Sequence, residues 1–283
     1  MSKKAGRRPG MDPDPGPTDW TAVRAIVRRD LGAVTRSKAV LLPMLLVPVL
    51  LLVLLPMSVG LAANGDSLDV DRFLDLMPGR LSEPILALPP RERLVVLVLG
   101  YLVAPLFLIV PLMVSAVLAS DAFAGEKERK TLETILHLPV RARDLYVAKL
   151  LVGFVPAVAV SWIGFALFCV VSNASAWPVM GRPFLPTWLW MIVIVWISPA
   201  VAAVGLGIMV RVSVRVNNTQ EAQQLGGAVV LPLVILAVGQ TTGILLAGTT
   251  AAFSVGAVIW VIAIFLNVRG AQAFTRDRMA ARL

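Results

Sequence analysis

Long apolar runs separated by short polar stretches dominate the chain. Six are long enough to matter: residues 39–62, 95–119, 147–172, 188–210, 225–246 and 250–267. A helix needs about 20 mostly apolar residues to cross a bilayer, so the pattern predicts an all-α membrane protein with six spans. Residues 225–268 carry no charge, too long a stretch for one span and just enough for two. The polar patch GQTTG at 239–243 is the expected turn or re-entrant piece between them. The span interiors are read as free of Asp, Glu, Lys and Arg. Prolines recur within the runs, each removing a backbone hydrogen bond and favouring a kink. Membrane helices tolerate such prolines, and site by site that is the reading taken; Pro105 and Pro111, close together in the second run, are the one pair also read as a hinge.

Ahead of the first run the period changes. Residues 1–17 are rich in Gly, Pro and charge, the composition of a disordered tail. Over 18–38, Trp20, Val23, Val27, Leu31 and Val34 share a narrow helical stripe, while Arg24, Arg28, Arg29 and Arg36 point elsewhere. This predicts an amphipathic helix on the membrane surface, capped by Thr18 or Asp19, with Asp30 a blemish at the stripe's edge. The six-span domain then occupies 39–268, and 269–283 form a C-terminal tail. The first apolar run lies too deep and is too long for a cleaved signal peptide, so it is expected to be retained.

Composition agrees with this layout. Of 283 residues, 58% are hydrophobic and 15% charged, and the mean hydropathy is +0.82, well outside the range of soluble domains. The net charge of +9 would suggest nucleic acid in a soluble protein. Here the basic residues flank apolar runs, so they act as topology signals and nucleic-acid binding is not expected. Twenty-one Lys and Arg fall in the termini and in alternate loops, against five in 63–94 and 173–187. The positive-inside rule therefore puts both termini and the loop at 120–149 in the cytoplasm. Arg-over-Lys and Ala/Val-rich usage points to a bacterial cytoplasmic membrane.

The outer segment 63–94 carries Val70, Phe73, Leu74 and Met77 at helical spacing behind Asp66, Asp69, Asp71 and Asp75. That reads as an interfacial helix with an acidic start, and the spacing fits no calcium loop. No metal site is predicted: the single cysteine, Cys169, lies in an apolar run, and the single histidine, His137, has no companion. No catalytic residue is predicted either, because no hydrolase motif occurs. The sequence also lacks a G-x-x-x-x-G-K-[ST] phosphate loop, so any ATP-driven step needs another chain.

The loop between the second and third runs is dense with charge. Glu126 and Lys130 are spaced i, i+4 in the favourable order, and Leu132, Ile135 and Leu136 form a small apolar face. Pro139 ends that helix, and Asp144 opens the next. The pattern suits a short rigid element that docks into something, or a solvated connector packed on its own bundle.

The stretch SDAFAGEKERKTLETILHLPVRARDLYVAKLL, residues 120–151, resembles the intracellular loop of type-2 ABC exporter permeases. A second stretch, RVSVRVNNTQEAQQLGG at 211–227, is similar to a run found in the sodium-extrusion and drug-export branch of that family. The chain departs from the family pattern at Lys130, where glycine is usual, and at Arg141 and Asp144, where a Ser-x-x-Glu capping box is common.

The resemblance implies a coupling helix that docks on a separate cytosolic P-loop ATPase subunit. Glu126, Glu128, Thr131, Leu132, Glu133 and Leu136 would then transmit force. ATP and Mg would be bound by that partner, with no cofactor on this chain. A second permease subunit, self or sibling, would complete the pathway. The polar side chains available to such a pathway are Ser161, Trp162, Ser198, Gln240, Thr241 and Thr242, together with Asn173, and so little polarity suits an amphipathic or lipid-like substrate. Gly205 and Gly207 are expected to serve close helix packing instead. The alternatives are a membrane anchor that recruits a cytosolic complex, or a gradient-driven secondary carrier. The uncharged spans weigh against the carrier.

Overall fold

The computed structural model describes residues 18–34, 38–65, 70–75, 79–128, 140–213, 215–216, 218–227 and 249–273. Among the described residues there is helix and no strand. Apolar segments leave no other choice in a bilayer, because every backbone N–H and C=O must be satisfied within the chain.

Helix α1 (Trp20–Val34) precedes five helices long and apolar enough to span. These are α2 (Met44–Asn64), α5 (Pro90–Gly125), α6 (Ala142–Met180), α7 (Trp188–Ser213) and α9 (Thr249–Ala273). Short helices α3 (Val70–Asp75) and α4 (Gly79–Leu86) lie between α2 and α5. Residues 219–227 form α8. Most of the fifth predicted span, 225–246, lies outside the described residues. Its first residues, 225–227, are helical and continuous with 219–224, so the polar TQEAQQ stretch is itself helical.

Two of the predicted spans run well beyond their apolar cores. α5 has 36 residues and α6 has 39. At 1.5 Å per residue, α6 is about 58 Å long, against a hydrocarbon core of about 30 Å. It therefore projects out of the membrane, and its polar ends stay helical because neighbouring elements hold them. Gly181 stops it: φ of +60° places this residue in the left-handed region, and its N–H donates to the Trp177 carbonyl at 2.9 Å, a common glycine termination.

α5 and α7 form the centre, each 56% buried over its apolar window, while α2, α6 and α9 are 28%, 22% and 17% buried. The outer three thus present apolar surface outward. Gly205 and Gly207 explain the close approach at the centre. A Cβ at Gly205 would lie 2.5 Å from Ser115 Oγ on α5, and one at Gly207 would lie 2.8 Å from Leu266 Cβ on α9. Two faces of α7 thus depend on missing side chains.

Three π-helical turns, Leu50–Leu54, Val96–Leu102 and Val193–Ile197, each come just before a proline: Pro56, Pro105 and Pro199. A proline ring collides with the carbonyl four residues earlier, and a widened turn relieves the collision. The α-helical hydrogen-bond ladder of α5 is also interrupted at Leu108, between Pro105 and Pro111, where Leu108 N–H donates to the Pro105 carbonyl at 3.2 Å and the dihedrals stay right-handed helical. Inside the first half of α5, the indole Nε1 of fully buried Trp190 donates to the Leu99 carbonyl at 3.1 Å. Phe107, Phe165 and Phe168 pack around that ring, with centroids at 5.6, 5.3 and 4.9 Å.

At the far end of the bundle Arg93 organises the loop. It pairs with Asp71 at 2.7 Å and donates to the Leu86 and Leu88 carbonyls. Leu74, of the predicted Val70-Phe73-Leu74-Met77 stripe, is fully buried against Ile85 and Leu97, whereas Phe73 faces outward. Asp71 therefore has a structural partner.

Candidate functional site

The third span does not match the expectation of uncharged interiors. Lys149 sits two turns inside α6 and is 1% exposed. An unpaired charge there would be prohibitively costly, and the chain supplies its partner. Lys149 Nζ donates to Glu126 Oε2 at 2.5 Å and to the Ala122 carbonyl at 2.5 Å, and it lies 5.3 Å from the Phe123 ring centre. The π-helical turn Asp121–Gly125 ends α5. Glu126 begins the single turn Glu126–Glu128 that follows it.

Glu126 is also approached from α1. Arg29 Nη2 lies 3.6 Å from Glu126 Oε1, and Arg29 Nε donates to Asp30 at 2.8 Å. Asp30, a blemish on the expected stripe, thus belongs to a charge cluster. Burial pushes the Glu126 carboxyl above its ordinary value, and the pull of Lys149, its hydrogen bond and Arg29 offset this only in part.

Asp19 caps α1, accepting from the N–H groups of Thr21 at 3.0 Å and Ala22 at 3.2 Å. The inward face of α1 is Val23, Ile26 and Val34. Val23 and Ile26 pack on Leu145 and Ala148 of α6. Trp20, expected on that face, is 57% exposed, because α1 meets α6 along the line that Leu145 and Ala148 define. Asp144 does not cap α6: the helix begins at Ala142 with Arg141 in the cap position, and Asp144 is buried in the first turn.

The second charged stretch folds onto the first. Glu128 Oε2 accepts from Thr219 N at 3.0 Å and from Thr219 Oγ1 at 2.9 Å, so a carboxylate from the end of α5 caps α8. Asn218 adds a local cap, accepting from Glu221 N at 2.7 Å. Gln223 Nε2 donates to Ser120 Oγ at 3.2 Å, and Ala222 is buried among Ala119, Ala124, Leu206 and Met209. Gly125 permits the approach, since a Cβ there would meet Asp121 Oδ1 at 3.0 Å and Thr219 Oγ1 at 3.3 Å. Arg211 closes this end of the bundle by donating to the carbonyls of Gly207 and Leu266, both at 2.7 Å. Both carbonyls lie inside their helices, so Arg211 bridges α7 and α9 side to side.

Of the residues expected in the docking element, Glu126 and Glu128 are in this junction, while Thr131, Leu132, Glu133 and Leu136 lie outside the described residues. So do His137, Gln240, Thr241 and Thr242. The expected pathway residues occupy separate settings. Ser161 is buried and donates to the Ala157 carbonyl of its own helix at 2.7 Å. Trp162 is half-exposed and donates to the Ile194 carbonyl at 3.1 Å. Ser198 is fully buried, with no hydrogen-bond partner for Oγ among the described residues. Asn173 holds the loop after α6: its carbonyl oxygen accepts from Phe184 N and Leu185 N, and its amide donates to the Leu185 carbonyl. None of these hydrogen bonds joins one pathway residue to another. Sequence reasoning missed Lys149 and Thr219. Lys149 was visible as the lysine of the Ala-Lys pair that ends the first quoted stretch.

Residues 91–220 match the family model described as ABC-2 family transporter protein. That interval runs from the start of α5 to the first residues of α8, so it contains both sides of the junction. No curated protein matches the chain. By its apolar helices and this match, the chain is a membrane-embedded transport component. More narrowly, the match supports the type-2 ABC permease class, whose members form the membrane part of the transporter, are not themselves catalytic and generally work with an ATP-binding subunit.

Proposed function

We propose that this chain is the six-span permease subunit of an ATP-driven exporter, forming half of a translocation pathway with a second permease subunit. On this reading both termini face the cytoplasm of a bacterium. Segment 129–139, with Thr131, Leu132, Glu133 and Leu136, docks on a cytosolic P-loop ATPase that binds ATP and Mg. The branch suggested is sodium-extrusion or drug-export-like, with an amphipathic or lipid-like substrate.

The observation that carries this reading is the closed base of that segment. Lys149 and Glu126 tie its two flanking helices together across 2.5 Å, and Glu128 ties it to α8. A force applied to an eleven-residue segment fixed at both ends passes into α5, α6 and α8, whereas a slack loop would absorb it. Such rigid-body transmission is what a coupling element requires.

Gentle purification from the native membrane, followed by identification of what accompanies the chain, tests this. A P-loop ATPase is expected with the wild type and is expected to be lost with Leu132→Asp, Leu136→Asp. Absence of any ATPase, under conditions that preserve other membrane complexes, would overturn the coupling reading.

A further inference from the structure

α1 has three distinct faces. One, with Val23 and Ile26, packs on α6. A second turns Arg29 toward Glu126. The third carries Trp20, Arg24, Arg28 and Leu31, and it borders an open groove of about 490 Å³ against Leu151 and Val155 of α6.

The chemistry of this groove is divided. Leu151 and Val155 lie about 12 and 18 Å along α6 from Arg143, inside the membrane-capable segment Arg143–Met180. Arg24 and Arg28 are exposed, stand one helical turn apart, and make no ion pair or hydrogen bond among the described residues. Arg29, next in sequence, is already engaged with Asp30 and Glu126. Two cations with no partner among the described residues therefore stand over an apolar wall that continues into a spanning helix, with Trp20 at the end of the groove. A soluble anion would leave the wall bare, and a neutral lipid would leave the guanidiniums without a counter-charge. Charge and shape together fit an amphiphile with an anionic head.

We propose that the groove binds one anionic phospholipid of the adjoining leaflet. Its phosphate lies between Arg24 and Arg28, an acyl chain runs along Leu151 and Val155, and Trp20 sits at the headgroup level. Such a lipid would clamp α1 to α6 and so hold Arg29 near Glu126. The proposal needs only the membrane setting, and it stands or falls separately from any ATPase partner.

Native mass spectrometry of the delipidated full chain tests it, with phosphatidylglycerol or phosphatidylcholine of the same acyl chains titrated back. One phosphatidylglycerol is expected to be retained about tenfold or more in preference to phosphatidylcholine, with Arg24→Gln, Arg28→Gln abolishing the preference. Arg215→Gln, an exposed arginine outside the groove, is expected to leave it intact. Val155→Trp keeps every charge, fills the groove floor, and is expected to reduce phosphatidylglycerol retention. It gives an independent reading if the double arginine variant fails to fold. Equal retention of the two lipids by the wild type would overturn the proposal. So would a preference unchanged in Arg24→Gln, Arg28→Gln, or phosphatidylglycerol retention unchanged in Val155→Trp, either of which would place the lipid elsewhere.

Discussion

Lys149 and Glu126 have unequal effects on the fold. The raised Glu126 pKa means that burial costs this carboxylate more than its cationic neighbours return. Its folded value lies above the unfolded 4.5, so the folded state takes up the proton first. The group's contribution to stability is thus fully present below the unfolded value, and it is lost as pH rises through the folded value. Glu126→Gln removes that loss and keeps an acceptor for Lys149. Its melting temperature relative to wild type is expected to rise as pH increases from mildly acidic to neutral; a drift in the opposite direction would contradict the assigned sign. Lys149→Met leaves the carboxylate buried without its closest partner, and it is expected to cost about 3 kcal/mol, the scale for breaking a buried pair from one side. Adding Glu126→Gln to Lys149→Met is expected to recover much of that loss. Thermal unfolding of the single and double variants in one detergent measures the asymmetry. A pair that adds little to stability is kept for the positions it fixes, and here it fixes the two ends of the segment 129–139.

At the level of elements, α7 depends on two glycines, and their directions differ. Gly205→Leu meets Ser115 and Leu112 on α5, whereas Gly207→Leu meets Leu266 and Asn267 on α9. Each is expected to destabilise by about 1–3 kcal/mol through overpacking. Partial proteolysis is expected to loosen α9 with Gly207→Leu and the α5–α7 centre with Gly205→Leu. For α8, Thr219→Ala removes only the hydroxyl contact to Glu128 and keeps the backbone cap, so a loss of about 1 kcal/mol is expected, the scale of one hydrogen bond. Apolar length and composition made the spans legible, since a bilayer leaves helix as the one solution for such runs. Helix ends were less so: α5 and α6 extend past their apolar cores because Lys149, Glu126, Arg93 and Asn173 hold the polar ends, and those contacts are tertiary. The same limit hid the junction. The stretches around Glu128 and Thr219 were each recognisable by resemblance, but 91 positions separate the two residues, and no periodicity carries that distance. Asp30 looked like a flaw in a stripe because its partner Arg29 faces a residue from another helix.

For the whole molecule, the decisive question is whether the junction moves as a unit. α1, the end of α5, the start of α6 and α8 all meet there. If a docked ATPase drives the segment 129–139, the contact between Glu128 and Thr219 must either travel with it or break in each cycle. A reducible cross-link distinguishes the two. In a background with Cys169→Ala, which removes the single native cysteine, Glu128→Cys and Thr219→Cys can be joined by a short disulfide-containing reagent. If the tie transmits force as a rigid unit, the cross-linked permease is expected to keep its ATPase partner and most of its substrate-stimulated hydrolysis; a loss that recovers on reduction would show instead that the contact breaks in each cycle. The unlinked double-cysteine protein, measured beside the wild type, separates the effect of the tether from that of the substitutions. Full hydrolysis in the linked state would show that α5 and α8 move as one rigid body. The mobile boundary would then lie elsewhere, and the break in α5 at Leu108, between Pro105 and Pro111, is the first place to look, because the α-helical hydrogen-bond ladder is interrupted there, with Leu108 N–H donating to the Pro105 carbonyl.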